Sequence, residues 1–470
     1  MSKLEYVSQI SPVCPDALRL YALISHDGKC ADTALFTSPQ KSIIVKKSAL
    51  KIEYHEGHCQ IQGFSPTGEM IKQKHFAKPL AFAKNNADLL TDEERIRQPS
   101  IFDCLRQLLA LLPPAHHLLG VFSFDLIDTF ETLPALNHDP LQFPDFLFYL
   151  PEELVVIDNA TQQTVCSVLT SQSRLAGLLA DCQNAENIHA TLFSTLKSIE
   201  APCATSHEEF TEMVKACQQH IQQGDIFQTV LSRRFTLPCS NPFAAFQRLI
   251  ASNPSPYLYY FKTATHTLFG ASPETCVKVE NKVVSLYPIA GTKPRGANSA
   301  QDLRQETALR TSSKELAEHM MLVDLARNDI ARICVPGTCQ VKELATLTRF
   351  SKVMHLCSTV QGTLQPDLDA LHAYQACMNM GTVSGAPKIK ATEILRKQEC
   401  EKRGPYGGAI GWISPEGNMD TALFIRSAVV YQDIAHIRAG AGIVADSDAT
   451  AEAYETQYKA QAVINAINFN

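Results

Sequence analysis

From residue 201 onward, the chain alternates segments of helical periodicity with strand-like runs that end in glycine. The helical segments cover 206–223, 313–328, 368–379 and 449–466, and the strand-like runs cover 268–279, 283–288, 421–431 and 434–439. This alternation predicts a domain that mixes helices with a sheet. Glycine at strand ends allows close backbone approach, as in loops that line a ligand cleft, although an ordinary turn is the simpler explanation for any one glycine.

The first part of the chain has a looser pattern of the same kind. Strand-like runs and helical spacing alternate over 43–52, 101–112, 146–157 and 173–199. The run 146–157 is long enough to predict a pair of strands. Residues 201–206 have the composition of a linker. We therefore expect two regions, 1–200 and 201–470.

Composition excludes several classes of protein. The 470 residues carry 42 basic and 48 acidic side chains, a formal charge of −6, and no basic tract. This balance argues against nucleic acid or an anionic membrane as the main partner. The chain begins without a basic segment followed by an apolar run, and its apolar stretches are shorter than the roughly 20 residues that cross a bilayer. The 15 cysteines include no CxxC pair. We expect a soluble cytoplasmic protein with reduced thiols and no membrane contact.

Two pairs of glutamates have helical spacing. Glu315 and Glu318 lie three residues apart in one predicted helix, and Glu452 and Glu455 repeat the spacing near the C-terminus. Each pair projects from one helix face, and carboxylates without Cys or clustered His suit a hard cation such as Mg²⁺. The alternative is an exposed helix pair, as Glu455 and Lys459 four residues apart would form.

Three further features have both a structural and a functional explanation. His355 lies between apolar residues, which is more typical of a hydrogen-bonded core histidine than of a catalytic one. Arg426 interrupts an apolar strand-like run, where its guanidinium needs either a substrate carboxylate or an internal Asp. Gly440 and Gly442 follow the next run, where backbone N–H groups could form a nest for a carboxylate. The chain lacks the GxxxxGK[ST], GxGxxG and GxSxG motifs of nucleotide-binding proteins and serine hydrolases.

Eight runs, in order along the chain, carry a family resemblance. They are GDIFQTVLSRR (224–234), NPSPY (253–257), GASPE (270–274), PIAGT (288–292), EHMMLVDLARND (318–329), GTVSGAPK (381–388), GPYGG (404–408) and AGAGIVAD (439–446). In these runs the chain closely resembles the large, chorismate-binding subunits of anthranilate synthases, within the chorismate-utilising enzyme family. The segments FSFD (122–125) and PDFLF (144–148) extend the resemblance into the first region.

The resemblance implies a fold, an activity and partners. The implied fold is α+β, a four-layer α/β/β/α arrangement of two packed antiparallel sheets with helices outside and the active site in the cleft between. Residues 1–200 would be a regulatory region and 201–470 the chorismate-binding catalytic domain. The implied reaction converts chorismate and ammonia to anthranilate and pyruvate, the first committed step of tryptophan biosynthesis. It implies Mg²⁺, a separate glutaminase subunit that supplies ammonia from glutamine, and a heterotetramer of two large and two small subunits.

The resemblance also assigns roles to residues. Glu274 matches the general acid that protonates the departing C4 hydroxyl, a role that requires a raised pKa. His355 and Thr382 match positions at the ring and the departing pyruvate. The substrate-binding set comprises Arg426, Tyr406, Gly442, Gly440, Ala290 and Lys459. The Mg²⁺ ligands, direct or through water, would be Glu315, Glu318, Glu452 and Glu455.

Two positions distinguish this chain from sibling enzymes. Isochorismate and salicylate synthases carry a Lys that activates water where this chain has Gln228, which suffices for ammonia. Aminodeoxychorismate synthases commonly carry a nucleophilic Lys where this chain has Ala290. Both residues favour anthranilate as the product.

The resemblance implies feedback inhibition by tryptophan, with one departure. The effector set would be Ser38, Leu35, Pro256, Tyr257 and Leu258. Thr37 stands where bacterial relatives have an acidic residue, and the loop after Ser38 is shortened. We expect altered affinity or coupling for tryptophan.

Two other functions remain open from the sequence. One is a sibling enzyme that stops at the aminated intermediate, 2-amino-2-deoxyisochorismate. The other is a non-catalytic subunit that docks a glutaminase, although retention of Glu318, His355, Thr382 and Arg426 argues against it.

Overall fold

The computed structural model describes residues 3–76, 90–186, 200–349 and 353–468. The described helices are α1 Ala17–Ile24, α2 Pro66–His75, α3 Asp92–Ile96, α4 Asp103–Leu111, α5 Gln172–Ala185, α6 His207–Gln222, α7 Pro242–Ser252, α8 Ser299–Thr311, α9 Ser313–Ala331, α10 Ala370–Cys377, α11 Lys388–Glu399 and α12 Ala449–Ile467, with a 3₁₀ turn at Phe124–Thr129. In this part of the chain, no helix has the length and apolar character to span a membrane.

The strands pair with one another in antiparallel fashion throughout. They are β1 Tyr6–Ile10, β2 Thr33–Thr37, β3 Lys41–His55, β4 His58–Gly63, β5 Leu118–Phe122, β6 Phe146–Asp158, β7 Gln163–Leu169, β8 Gln228–Pro238, β9 Tyr257–Lys262, β10 His266–Ser272, β11 Thr275–Glu280, β12 Val283–Leu286, β13 Ile289–Pro294, β14 Gln340–Arg349, β15 Val353–Thr363, β16 Gly385–Ala386, β17 Ala409–Ile413, β18 Met419–Leu423, β19 Ser427–Tyr431 and β20 Ile434–Ile443. The predicted α+β class with antiparallel sheets is confirmed.

Two long strands join the two halves of the strand network. β3 pairs with β2 near its start and with β4 near its end, and the register against β6 shifts between Val45 and Leu50. β6 pairs with β5 through its first residues and with β7 through its last. Such shifts bend a strand, so that one strand can serve two sheets. The prediction of two strands in 146–157 is wrong, because this segment is one bent strand.

The apolar core is layered. One cluster contains strand residues from both halves of the network, among them Phe36, Tyr259 and Ile410. A second places α1, α5, α7 and α12 against one group of strands, and a third places α4, α6, α10 and α11 against the other. Helices that cover the strand layers from outside produce this distribution. The division of the strands into two packed sheets stays a prediction.

Single residues explain where the observed strands differ from the predicted runs. Pro273 lies where the run 268–279 divides into β10 and β11, consistent with its missing N–H. The run 421–431 divides into β18 and β19 around Arg426, whose φ of 53° leaves the extended region. The part of the predicted helical stretch 173–199 beyond Glu186, residues 187–199, lies outside the described residues.

Strands from the two predicted regions pair directly. β2 pairs with β9, and β5 pairs with β17, across the predicted boundary near residue 200. The first region therefore contributes strands to the sheets that carry the catalytic motifs. The division at residue 200 stays a prediction.

Candidate active site

A cavity of about 500 Å³ lies among the catalytic motifs. Its volume is that of a small-molecule site. It is lined by eight of the ten residues predicted as catalytic or substrate-binding, which are Glu274, Ala290, His355, Thr382, Tyr406, Arg426, Gly440 and Lys459. Gln228 and Gly442 lie next to the cavity wall. The strands and helices thus bring together residues that are as distant in the chain as Glu274 and Lys459.

Glu274 is a buried acid in this cavity. It follows β10 and is 8% exposed. Burial raises the pKa of Glu274 to about 7, although the hydrogen bond from Thr382 and the charge of Lys459 each lower it. The Thr382 hydroxyl donates to Glu274 Oε1 over 2.8 Å. A carboxyl with this pKa is protonated often enough near neutral pH to act as a general acid.

His355 faces the cavity rather than the core. On β15 its neighbours Met354 and Leu356 point the other way, into a small core with Leu309. The His355 Nδ1 atom lies 3.0 Å from the Gly291 carbonyl oxygen, to which a neutral imidazole donates. Burial lowers the pKa of His355, the Gly291 contact opposes the shift, and the charge of Arg426 adds to it. The ring is therefore neutral at neutral pH.

Arg426 lies in the connection between β18 and β19, so its predicted position within a strand is wrong. Its left-handed backbone aims the side chain into the cavity wall, where Nη1 donates to the Lys459 carbonyl oxygen over 2.9 Å. Among the described residues, no carboxylate lies within 4.0 Å of the Arg426 guanidinium, so the alternative of an internal Asp partner is not realised. A half-buried guanidinium in this setting favours an anionic ligand.

Lys459 of α12 connects this helix to β20. Its ammonium group donates to the Gly440 carbonyl oxygen over 2.9 Å and lies 2.6 Å from Glu455 Oε1. A methyl group added at Gly440 would lie 2.9 Å from the Tyr406 hydroxyl, so glycine leaves room for that ring to reach the cavity. Tyr406 itself is buried.

Gly440 and Gly442 belong to β20, paired with Ser232 and Val230 of β8. Successive N–H groups of a strand point in opposite directions, so the predicted nest of adjacent N–H groups does not form. Gly442 has another function, because a methyl group there would lie 2.7 Å from Gln228 Nε2. Gln228 therefore packs over Gly442, and within the described structure its buried Oε1 accepts no hydrogen bond.

The four predicted metal ligands lie on two helices, Glu315 and Glu318 on α9 and Glu452 and Glu455 on α12. Burial raises the pKa of Glu318, and the charges of Glu315 and Glu455 raise it further, against Lys314. The carboxylates of the two helices therefore repel one another. Across the described ranges, no three His, Cys, Asp or Glu side chains are close enough to form a metal site. The donor set nevertheless fits a hard divalent cation, which would relieve this repulsion.

The five predicted effector residues lie on β2, on β9 and in the segments next to these strands. β2 lies beside β9, with Thr37 opposite Leu258. Leu35 and Leu258 pack toward the helical layer, whereas Tyr257 points between the sheets, with its hydroxyl 3.0 Å from Asp420 Oδ1. The Ser38 backbone N–H donates to the Lys41 carbonyl oxygen in the short turn that follows β2.

Pro256 lies elsewhere, because it lines the catalytic cavity. The loop before β9 therefore connects the predicted effector residues with the active site. The prediction of an effector site at these five residues stays a prediction.

Sequence reasoning missed several residues of the cavity wall. Arg438, Tyr458 and Asn253 line the cavity together with the predicted residues. Each stands within or beside a run that carries the resemblance or a predicted residue. Proximity to those runs was the available signal, but the sequence does not show which neighbour faces the cavity.

Comparison with known proteins agrees with this arrangement. A family model described as chorismate binding enzyme matches residues 57–465. Anthranilate synthase component 1 of Vibrio cholerae is 46% identical over 404 residues, which cover 81% of this chain and 77% of that protein. The Escherichia coli protein of the same name is 42% identical over 463 residues, covering 91% and 89%.

A solved structure has the same fold. Anthranilate synthase component I from Streptococcus pneumoniae superimposes with a TM-score of 0.73 at 32% sequence identity. The match covers 90% of this chain and 92% of that one. The similarity therefore includes both predicted regions.

Proposed function

The chain belongs to the chorismate binding enzyme family, and from this membership and the cavity we propose that it is the chorismate-binding large subunit of an anthranilate synthase. It converts chorismate and ammonia to anthranilate, pyruvate and water, and acts in the cytoplasm. The observation that carries the proposal is the combination, in one cavity, of a buried Glu274 with a pKa of about 7 and an Arg426 that forms no ion pair within 4.0 Å among the described residues.

The substrate supplies what these residues lack. Chorismate is a dianion, and a carboxylate placed against Arg426 and Tyr406 completes a charge-assisted hydrogen bond. Ammonia forms a bond to ring carbon C2, and the C4 hydroxyl departs as water with a proton from Glu274. Loss of pyruvate and of a ring proton then makes the ring aromatic. We assign His355 and Thr382 to these later steps, since both line the cavity together with Glu274.

Neutral side chains at two positions restrict the chemistry. Ala290 offers no amine that could attack the substrate, and Gln228 offers no base that could activate water. Ammonia needs neither, because it is already a nucleophile. The Gln228 carbonyl, which accepts no hydrogen bond within the described structure, suits an N–H donor.

Magnesium is part of the proposal. Glu315, Glu318, Glu452 and Glu455 would hold it, directly or through water. When bound, Mg²⁺ would neutralise a substrate carboxylate and stabilise charge that moves through the ring. The mutual repulsion of these carboxylates supports the assignment.

A partner and an effector complete the proposal. The component 1 designation of the relatives supports a second component, which we take to be a glutaminase that supplies ammonia, in a heterotetramer of two large and two small subunits. Tryptophan would act at the β2 and β9 residues, with affinity or coupling altered by Thr37. Titration of tryptophan against activity tests this, and inhibition as tight as in relatives with the acidic residue would refute it.

One assay tests the function. The purified chain is given chorismate, an ammonium salt and Mg²⁺, and blue fluorescence is followed, because anthranilate is an aromatic amine whereas the aminated intermediate is not. We expect fluorescence without glutamine or a partner subunit. Consumption of chorismate without fluorescence would assign a sibling that stops at the intermediate, and no consumption would leave only the docking function.

A further inference from the structure

Three segments that form one wall of the cavity come from distant parts of the chain. They are the start of β8 with Val230, the segment that carries Thr382 and Val383, and the loop that carries Tyr406. Because Thr382 donates to Glu274, the position of its segment determines whether the acid keeps this hydrogen bond. The hydrogen bond from Thr382 to Glu274 therefore depends on contacts that fix the relative positions of the three segments.

Arg403 contacts all three segments. Its Nη1 donates to the Val383 carbonyl oxygen over 2.6 Å, and its Nη2 donates to the Val230 carbonyl oxygen over 2.7 Å. Its guanidinium lies 5.7 Å from the centre of the Tyr406 ring and 4.5 Å from that of Phe124. The side chain is buried behind the wall and does not line the cavity.

Glu399 holds the guanidinium in place. Its carboxylate accepts hydrogen bonds from Arg403 Nε over 2.8 Å and from Arg403 Nη2 over 2.6 Å. It also accepts a hydrogen bond from the Ser232 backbone N–H. Burial would raise the pKa of Glu399, but Arg403 and Arg438 outweigh burial and lower it. The pair is thus ionised and matched, and the charge of Arg403 is not available to the substrate.

We propose that Arg403 is a positioning residue for the reaction, which fixes the Thr382 segment and Tyr406 against β8 and so maintains the hydrogen bond from Thr382 to Glu274. The proposal rests on the proposed function. It requires arginine, because a planar group with five donors reaches two carbonyl oxygens and a carboxylate at once. A lysine preserves the charge opposite Glu399 but cannot span these acceptors.

The substitution Arg403→Lys tests the proposal through pH dependence. Activity requires protonated Glu274, so kcat falls as pH rises through the pKa of this group. The hydrogen bond from Thr382 lowers that pKa, as does the charge of Lys459 on α12. The buried thiol of Cys276 and the half-buried thiol of Cys357 face the same carboxyl. When the Thr382 segment moves, the pKa rises and the falling limb of kcat shifts to higher pH.

The expected result is a kcat about 10- to 100-fold lower, as for a misplaced catalytic group, together with this upward shift of the limb. Assays keep free ammonia saturating at every pH. The matched control is Arg234→Lys, an arginine further along β8. In the described structure its side chain contacts Glu401 and His436, and no hydrogen bond links it to Val230, Val383 or Tyr406. The control keeps the limb of the wild type.

Thr382→Val is the second variant, with Arg403 intact. It must shift the limb in the same direction, and the double variant must shift it no further than either single one. An Arg403→Lys enzyme with reduced kcat and an unmoved limb would indicate a merely structural role and overturn the proposal. So would an unmoved limb in Thr382→Val, whether or not Arg403→Lys folds. Wild-type enzyme that makes no anthranilate would instead overturn the proposed function.

Discussion

Two groups of buried charges meet at the wall of the cavity, and they differ in how their charges are compensated. Behind the wall, Glu399 pairs with Arg403, and Glu401 pairs with Arg234. Both carboxylates also pair with Arg438, which lines the cavity as well. We call these five residues the paired cluster. In the cavity, the hydrogen bond that Arg426 donates among the described residues goes to a backbone carbonyl, and Glu274 accepts from a neutral hydroxyl.

The two groups of charges therefore have different functions, one in supporting the cavity wall and the other in substrate binding and catalysis. Charges matched inside the protein stabilise the arrangement of segments and have no free interaction to offer a ligand. Charges left unmatched cost stability unless a ligand completes them, which is the expected state of a binding site for an anion. The comparison predicts that the same type of substitution has opposite consequences in the two places.

The largest expected effect is on stability, from Glu399→Gln in the paired cluster. Removal of this charge leaves Arg403 and Arg438 buried with less compensation, which costs about 3–5 kcal/mol of unfolding free energy. Urea denaturation followed by circular dichroism measures it. Glu212→Gln, at an exposed surface pair with Lys215, is the control and changes stability by less than about 0.5 kcal/mol. An equal, small change in both variants would remove the distinction.

Glu274→Gln applies the same chemical change inside the cavity. Because about half of the wild-type carboxyl groups are protonated at pH 7, the amide substitutes for the carboxyl with little effect on folding. The proton donor is lost, so kcat decreases about 100-fold, equivalent to about 2.7 kcal/mol. Steady-state fluorescence kinetics measure the change, with urea denaturation as the control. Full activity in a folded Glu274→Gln enzyme would exclude Glu274 as the acid.

Arg426→Gln has a smaller effect, on substrate binding. The variant loses one charge-assisted contact with a substrate carboxylate, so KM for chorismate increases about tenfold, or about 1.4 kcal/mol. Stability is retained because no internal ion pair is broken. Arg234→Gln provides the contrast, since it loses stability and keeps KM. If KM stayed the same in Arg426→Gln, the guanidinium would not be the anion-binding group.

Sequence alone predicted the residues of the cavity better than those of the paired cluster. Five of the eight predicted cavity residues stand in the runs that resemble a family. Glu399 and Arg403, in contrast, are four apart near the end of α11, a spacing typical of an exposed helix pair. Their burial depends on packing against β8 and the Thr382 segment, which are distant in the chain. Periodicity cannot report such contacts.

The fold shows the same limit. Helices such as α9 and α12 were predicted to within a few residues, because their apolar spacing is local. The sequence of β6 did not show that the segment forms one bent strand. The sequence of β18 and β19 did not show that Arg426, between them, adopts a left-handed backbone conformation. Neither a register shift nor a positive φ at a non-glycine residue has a clear sequence signal.

Burial in the cavity raises the pKa of Glu274, so that a large fraction of this carboxyl stays protonated near neutral pH. Infrared difference spectroscopy of the wild type against Glu274→Gln observes this carboxyl directly and separates it from Asp125 and Asp145, which also titrate in this range. We expect a carbonyl-stretch band of the protonated carboxyl that disappears as the pH rises, with a midpoint at pH about 7. About two pH units below that midpoint, an ordinary glutamate is still mostly ionised. A difference spectrum that shows only carboxylate bands at that pH would contradict the raised pKa of Glu274.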